Sequence, residues 1–395
     1  MPEIELVLLF ILLPVAAASG WWAARRHFLS MDSESARSTS DFSADYFKGL
    51  NLLLNEQPDK AIDVFVNMLQ VDNDTVETHL ALGNLFRRRG EGDRAIRIHQ
   101  NLIARPTLSK KQRALALFEL GQDYMRAGLL GRAESLFTEL LEQGEYRAEA
   151  LEKLLLIYTQ EKEWEKAIDA GRRLEKLTGQ KMNARIAQFY CELGDGLLAK
   201  AEYRPALKMC KRALSADRQC VRATLLQAAI ERLSGDCKSA VKTLKQVEKQ
   251  DAHYLPEIVE PLLECFRNLG KLEEAEQYLN HLSSEFGGIT PLLGLVDVLR
   301  QRGDEHEASE RIVASLRKRP SVRGLDHLIE LHLVSSQGAA RDNLLILKEL
   351  TRGLLEEKLA YRCGNCGFKA KTLQWHCPGC KDWASIRPIQ GIIGE

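Results

Sequence analysis

The chain has 395 residues, 45% hydrophobic and 28% charged, an ordinary balance for a folded protein and too long for one small core. Lys plus Arg and Asp plus Glu both number 55, so the formal net charge is zero and no basic excess is present to hold a phosphate backbone. Nucleic acid is therefore excluded as the default partner, and four of the nine cysteines crowd into the last 33 residues, unlike the disulfide framework of a small secreted domain.

The first predicted element is apolar. Residues 6–24 read LVLLFILLPVAAASGWWAA, a run of 19 without a charge, close to the ~20 needed to cross a bilayer core. Arg25 and Arg26 follow it, and only Glu3 and Glu5 precede it. A cleaved secretory signal carries its positive charge before the apolar run, so this order predicts a retained membrane helix. The positive-inside rule places the residues after Arg25 in the cytoplasm. Trp21 and Trp22 stand where an interfacial aromatic belt is expected. Residues 30–43 hold six serines among Asp, Glu and Arg, the composition of a short flexible tether.

From Tyr46 onward the chain repeats itself with a period near 34. A small residue in a first helix is followed twelve positions later by an alanine in a second, the signature of a tetratricopeptide repeat. Gly49 pairs with Ala61, Gly83 with Ala95, Gly121 with Ala133 and Gly194 with Ala206. Weaker copies pair Leu155 with Ala167, Ala228 with Ala240, Leu263 with Ala275 and Val296 with Ala308. Small residues let paired backbones approach closely. A large side chain stands four after several of the alanines, at Phe65, Phe137, Leu244, Leu279 and Ile312, with Cys210 in the same slot. The eight copies predict a superhelical array, and a degenerate ninth helical pair is expected over residues 322–359. Its wall suits peptides or protein segments. The five array cysteines (Cys191, Cys210, Cys220, Cys237 and Cys265) fall in apolar stripes and read as buried packing residues. The runs Arg87-Arg88-Arg89 and Arg317-Lys318-Arg319 close helices, where cations suit the dipole.

The tail carries Cys363, Cys366, Cys377 and Cys380 in the pattern C-x2-C-x10-C-x2-C. Each pair of thiolates, two residues apart, turns toward one ion, and two such turns give four sulfurs in a tetrahedron. The reading is one structural metal ion; zinc is favoured, and iron in a rubredoxin-like site has the same ligand set. His376 abuts Cys377, but four cysteines complete the shell, so a packing role is expected for it. Phe368, Trp375 and Trp383 are expected to pack this small module against the last repeats. No nucleophile–base pair, phosphate-binding loop or paired carboxylate signature appears, and the chain reads as a binding protein rather than an enzyme.

The expected architecture is thus all-α. An anchor (1–26) and a tether (27–45) precede a tetratricopeptide-repeat solenoid of about eight to nine repeats (46–359), and a four-cysteine metal-binding domain ends the chain (360–395).

Several segments carry a more specific likeness. These are the apolar run ending LLPVAAASGWW before Arg25-Arg26, the stretch Ala95-Ile-Arg-Ile-His-Gln100, Phe189-Tyr-Cys-Glu-Leu193, and the cysteine tail. Together they resemble the lipopolysaccharide assembly protein B family of Gram-negative bacteria, also called LapB or YciM. The resemblance implies an inner-membrane protein with its bulk in the cytoplasm. It implies an adaptor for the membrane protease FtsH that promotes degradation of the deacetylase LpxC and contacts a membrane lipopolysaccharide sensor. It also implies that Cys363, Cys366, Cys377 and Cys380 hold the metal. The alternative is a scaffold that gathers lipopolysaccharide-building enzymes at the inner membrane without directing proteolysis.

Overall fold

The structure is a computed structural model. It describes residues 76–395 except 357 and 393, scattered positions between 47 and 64, and Ser19, Trp21 and Trp22. The rest of the apolar segment 6–24, the tether 27–45 and Phe65 lie outside the described residues. Among the described residues no helix is long and apolar enough to cross a membrane.

The chain divides into two compact units, Met1–Ile157 and Tyr158–Glu395. In the first unit α1 (Val76–Arg89) pairs with α2 (Gly92–Ile103), and α3 (Lys110–Arg126) with α4 (Leu130–Gln143). Helix α5 (Arg147–Gln160) spans the boundary. The second unit continues with α6 (Trp164–Thr178), α7 (Asn183–Ala199), α8 (Tyr203–Ala216), α9 (Val221–Leu233), α10 (Cys237–Leu244) and the short α11 (Val247–Gln250). A 3-10 turn at Ala252–Tyr254 leads to α12 (Pro256–Leu269), α13 (Leu272–Glu285), α14 (Ile289–Arg302) and α15 (Glu305–Lys318). The expected ninth pair is α16 (Val322–Ser335) with α17 (Ala339–Glu356).

The repeat register is a packing register. Ala61, Ala95, Ala133, Ala167, Ala206, Ala240, Ala275 and Ala308 are all fully buried. The close approach expected at the small first-helix residues is also present. A Cβ on Gly83 would lie 2.4 Å from the His99 ring, and one on Gly121 2.7 Å from the Phe137 ring. His99 and Phe137 are the residues four after Ala95 and Ala133, so each second-helix side chain fills the notch that its partner glycine leaves.

The hairpin turns share one further device. Five residues before each of seven alanines the backbone is left-handed. Gly90, Gly128, Gly235, Gly270 and Gly303 take this position with φ between 66° and 88°, but Lys162 (φ 59°) and Ala201 (φ 58°) occupy it in the fourth and fifth hairpins. A Cβ is strained there, so two turns of the array hold a residue that the local geometry disfavours.

One charged run departs from its expected role. Arg87 does lie in the last turn of α1, but it is not simply a capping cation. Its guanidinium reaches across to α3, 2.5 Å from Glu119 and 3.0 Å from Asp123. Asp123 also meets His99 Nδ1 at 2.5 Å, and His99 and Asp123 are both buried. A buried ionic network therefore joins the second and third hairpins.

Candidate metal centre and its docking surface

The tail forms a three-stranded antiparallel sheet in the order β2-β1-β3, with β1 Tyr361–Cys363, β2 Lys369–Ala370 and β3 Ile386–Pro388. Register pairs Tyr361 with Ala370 and with Pro388, and Cys363 with Ile386. Such small strands bury little. The module's core is Cys363, Cys377 and Ile386, with Tyr361, Phe368, Leu373 and Cys380 packed around it. Cysteine sulfur thus replaces much of the apolar side chain a larger domain would use.

The structure brings the four predicted ligands together. Cys363, Cys366, Cys377 and Cys380 offer sulfurs that all lie within 4.8 Å of one another. Cys363 and Cys380 are 3.7 Å apart, and Cys366 and Cys377 3.6 Å. A tetrahedral ion with bonds of ~2.3 Å to sulfur needs sulfur–sulfur edges of about 3.8 Å, so the residues fit a four-thiolate metal site. Two local features prepare it. Gly367 turns the chain with φ 78°. A Cβ on Gly379 would stand 3.2 Å from Cys366 Sγ, so glycine there admits the sulfur. Burial opposes ionisation of Cys363, but the Ser385 hydroxyl and the N–H groups of Cys366 and Asn365 point at its sulfur and bring it down to about 6. Cys366 goes the other way: the Phe368 N–H favours its thiolate, but burial and the neighbouring thiols push it up to about 11, so an ion that binds the set must displace protons. His376 has the packing role expected of it: its Nε2 donates to the Lys381 carbonyl at 3.0 Å, and its ring stacks on Trp383 at 4.3 Å.

The docking surface differs from expectation. Phe368 turns into the module's own core rather than toward the array. Trp375 and Trp383 do reach the array, but ahead of its final hairpins, Trp383 at the fourth and fifth and Trp375 at the entry to the seventh. Trp383 packs edge-on against Trp164 at 6.2 Å and Phe189 at 5.8 Å, with the Arg222 guanidinium over its ring at 5.9 Å. Trp375 stacks on Tyr254 at 5.4 Å. The module's large aromatic faces find partners there, and polar contacts carry the tail on to the final hairpin.

Those polar contacts follow the repeat. Arg222, Glu257, Thr290 and Arg323 are each the second residue of a first helix, in α9, α12, α14 and α16. Arg222 meets Trp383, and Glu257 accepts from the Tyr361 hydroxyl at 2.8 Å. The Thr290 hydroxyl donates to the Glu395 carboxylate at 2.5 Å, and Arg323 pairs with the same carboxylate. The Val322 N–H donates to the Ile392 carbonyl at 2.8 Å. The tail thus runs along the N-terminal ends of four successive first helices. Tyr254 fixes its centre by donating to the Ile386 carbonyl at 2.9 Å, and Arg387 pairs with Asp251 at 3.0 Å.

Family models described as tetratricopeptide repeat match residues 78–113 and 118–181, and one described as rubredoxin metal binding domain matches residues 361–388. Lipopolysaccharide assembly protein B of Escherichia coli (strain K12) is 41% identical over 390 residues, covering 98% of this chain and 100% of that protein. The chain belongs to the lipopolysaccharide assembly protein B family. The Haemophilus influenzae member of that family is 36% identical over 394 residues, 97% of this chain and 98% of its own. Among solved structures, the MamA protein is similar with a TM-score of 0.35 at 23% identity, over 46% of this chain and 94% of its own. In this member of the lipopolysaccharide assembly protein B family the four cysteines and the rubredoxin-type domain indicate one structural metal ion.

Proposed function

We propose that this protein is an inner-membrane adaptor that limits lipopolysaccharide synthesis by bringing the deacetylase LpxC to the protease FtsH. The observation that carries the reading is near-complete coverage at 41% identity by a relative named for lipopolysaccharide assembly, anchor segment and cysteine tail included. The repeat array supports binding of protein segments, since stacked hairpins offer an extended wall of side chains. The apolar residues 6–24 and the arginines after them support a single-pass anchor with the array in the cytoplasm. Confinement to one membrane raises the effective concentration of protease and adaptor for each other. The metal is zinc in a closed four-thiolate shell, with no open position for catalytic water. Its part is to fold the tail, and a membrane lipopolysaccharide sensor supplies the regulatory contact.

Crosslinking in intact membranes, followed by identification of the captured proteins, tests this reading. Both the protease and the deacetylase are expected, and deletion of residues 1–26 is expected to lose the protease. Capture of biosynthetic enzymes with neither of those two would support the scaffold alternative instead.

A further inference from the structure

The seam between the metal module and the array holds an open cleft of about 300 Å³, lined among others by Gln188, Cys220, Arg222, Trp375 and Trp383. Cys220 takes no part in the metal site. It is buried, yet it forms part of this cleft's wall, at the position preceding the first turn of α9. Helix N-termini favour thiolate over thiol because their free N–H groups and dipole stabilise negative charge. Two further groups face the sulfur. The Gln188 amide donates to it at 3.5 Å, and a second thiol, Cys191 of α7, lies 3.9 Å away. The buried guanidinium of Arg222 lines the same cleft, and its Nε has no hydrogen-bond partner.

We propose that Cys220 and Cys191 form an oxidisable pair, in which Cys220 is the site of attack on a hydroperoxide and Cys191 the resolving thiol. The Cys220 thiolate attacks one peroxide oxygen and the O–O bond breaks. The departing oxygen takes a proton and leaves as an alcohol, or as water from hydrogen peroxide. Cys220 is left as a sulfenic acid. The Cys191 sulfur then attacks Cys220, the S–O bond breaks, and the Cys191 proton leaves with the hydroxide as water. Two thiols have lost two electrons and two protons to one peroxide. The two sulfurs, 3.9 Å apart, close to the ~2.05 Å of a disulfide as the bond forms. The division of roles agrees with the surroundings. Hydrogen bonding from Cys191 lowers Cys220 against the opposing effect of burial, and the same contact pushes Cys191 well up.

The array supplies its own control. Cys237 and Cys265 are also buried neighbours, packed with Ala240, but neither lines the cleft. Burial pushes Cys265 up to about 12.

The test treats the metal-loaded full chain with limiting hydrogen peroxide, blocks remaining thiols after unfolding, and maps the peptides by mass spectrometry. The expected product links Cys191 to Cys220 with loss of two hydrogens, forming at least about tenfold faster than any Cys237–Cys265 link. Metal content should be unchanged at that point. In Cys191→Ser the expected product is a sulfenic acid at Cys220, trapped by dimedone. Oxidation of Cys363, Cys366, Cys377 or Cys380 with metal release before any Cys191–Cys220 link would overturn the proposal, and so would equal rates at the two array pairs. The wild-type measurement decides even if the serine variant does not fold.

Discussion

Tyr254 and Trp375 stack with ring centroids 5.4 Å apart, and that contact ties the metal module to the middle of the repeat array. The Tyr254 hydroxyl adds a hydrogen bond to the Ile386 carbonyl in β3. One residue thus holds the module by an aromatic face and by its sheet. Tyr254→Phe keeps the face and loses the bond, at an expected cost of about 1 kcal/mol. Trp375→Ala removes the face, at an expected cost of ~2 kcal/mol, since the indole is half-buried. Denaturant unfolding of the metal-loaded chain measures both.

The same tyrosine predicts a response to alkali. Burial pushes the Tyr254 phenol up to about 12, above its ordinary value of 10. A phenol with a raised folded-state value contributes stability that is fully present below pH 10 and is lost as pH rises through about 12. Docking should therefore persist at pH 10 and weaken above it, and Tyr254→Phe should abolish that part of the decline. Trp375 fluorescence against pH, in both proteins, reads this out.

Metal removal should unfold the tail selectively. The module has little core beyond its own cysteines, so the ion supplies much of its folding free energy, on the order of 10 kcal/mol for a four-thiolate zinc site. Cys377→Ser with Cys380→Ser is expected to lose the ion and expose residues 361–388 to protease while the helices remain. Elemental analysis and limited proteolysis check this together. An intact, metal-loaded tail in the double variant would contradict the ligand assignment.

The hairpin turns predict two gains. Ala201 and Lys162 hold left-handed conformations that glycine holds in five other hairpins. Ala201→Gly and Lys162→Gly should each stabilise the array by about 1 kcal/mol, because the released Cβ strain exceeds the extra chain entropy of glycine. Thermal unfolding of the single and double variants would show whether the gains occur and add.

Two helical glycines should respond with opposite signs. Gly121→Ala drives a methyl to within 2.7 Å of the Phe137 ring, an overpacking worth about 1–3 kcal/mol of lost stability. Gly196 has nothing within 4 Å of the added methyl, so Gly196→Ala should stabilise α7 by ~0.5–1 kcal/mol. Matched unfolding midpoints for the two variants test the notch at Gly121 directly.

These particulars show where local sequence was sufficient. The alanines from Ala61 to Ala308 mark burial because a repeat imposes the same close packing every 33 to 39 residues. The cysteine spacing marks a metal site because two short turns must converge on one ion. That the tail docks through Trp375 and Trp383 was legible, but the place was not, since Trp164, Phe189 and Tyr254 are ordinary repeat residues until something folds onto them. One signal was present: Arg222, Glu257, Thr290 and Arg323 recur at spacings of 35, 33 and 33, all at a helix start. His99 was missed for a different reason. It fills a notch usually taken by an apolar side chain, and only Asp123, 24 residues away, makes its burial tolerable.

The most direct measurement is the half-life of the deacetylase LpxC in cells depleted of this protein and complemented with either the wild-type chain or the Cys377→Ser, Cys380→Ser double variant. An adaptor whose metal-stapled tail is fixed to its array predicts a prolonged half-life on depletion, restored by the wild type and not by the variant. An unchanged half-life on depletion would contradict the adaptor function outright.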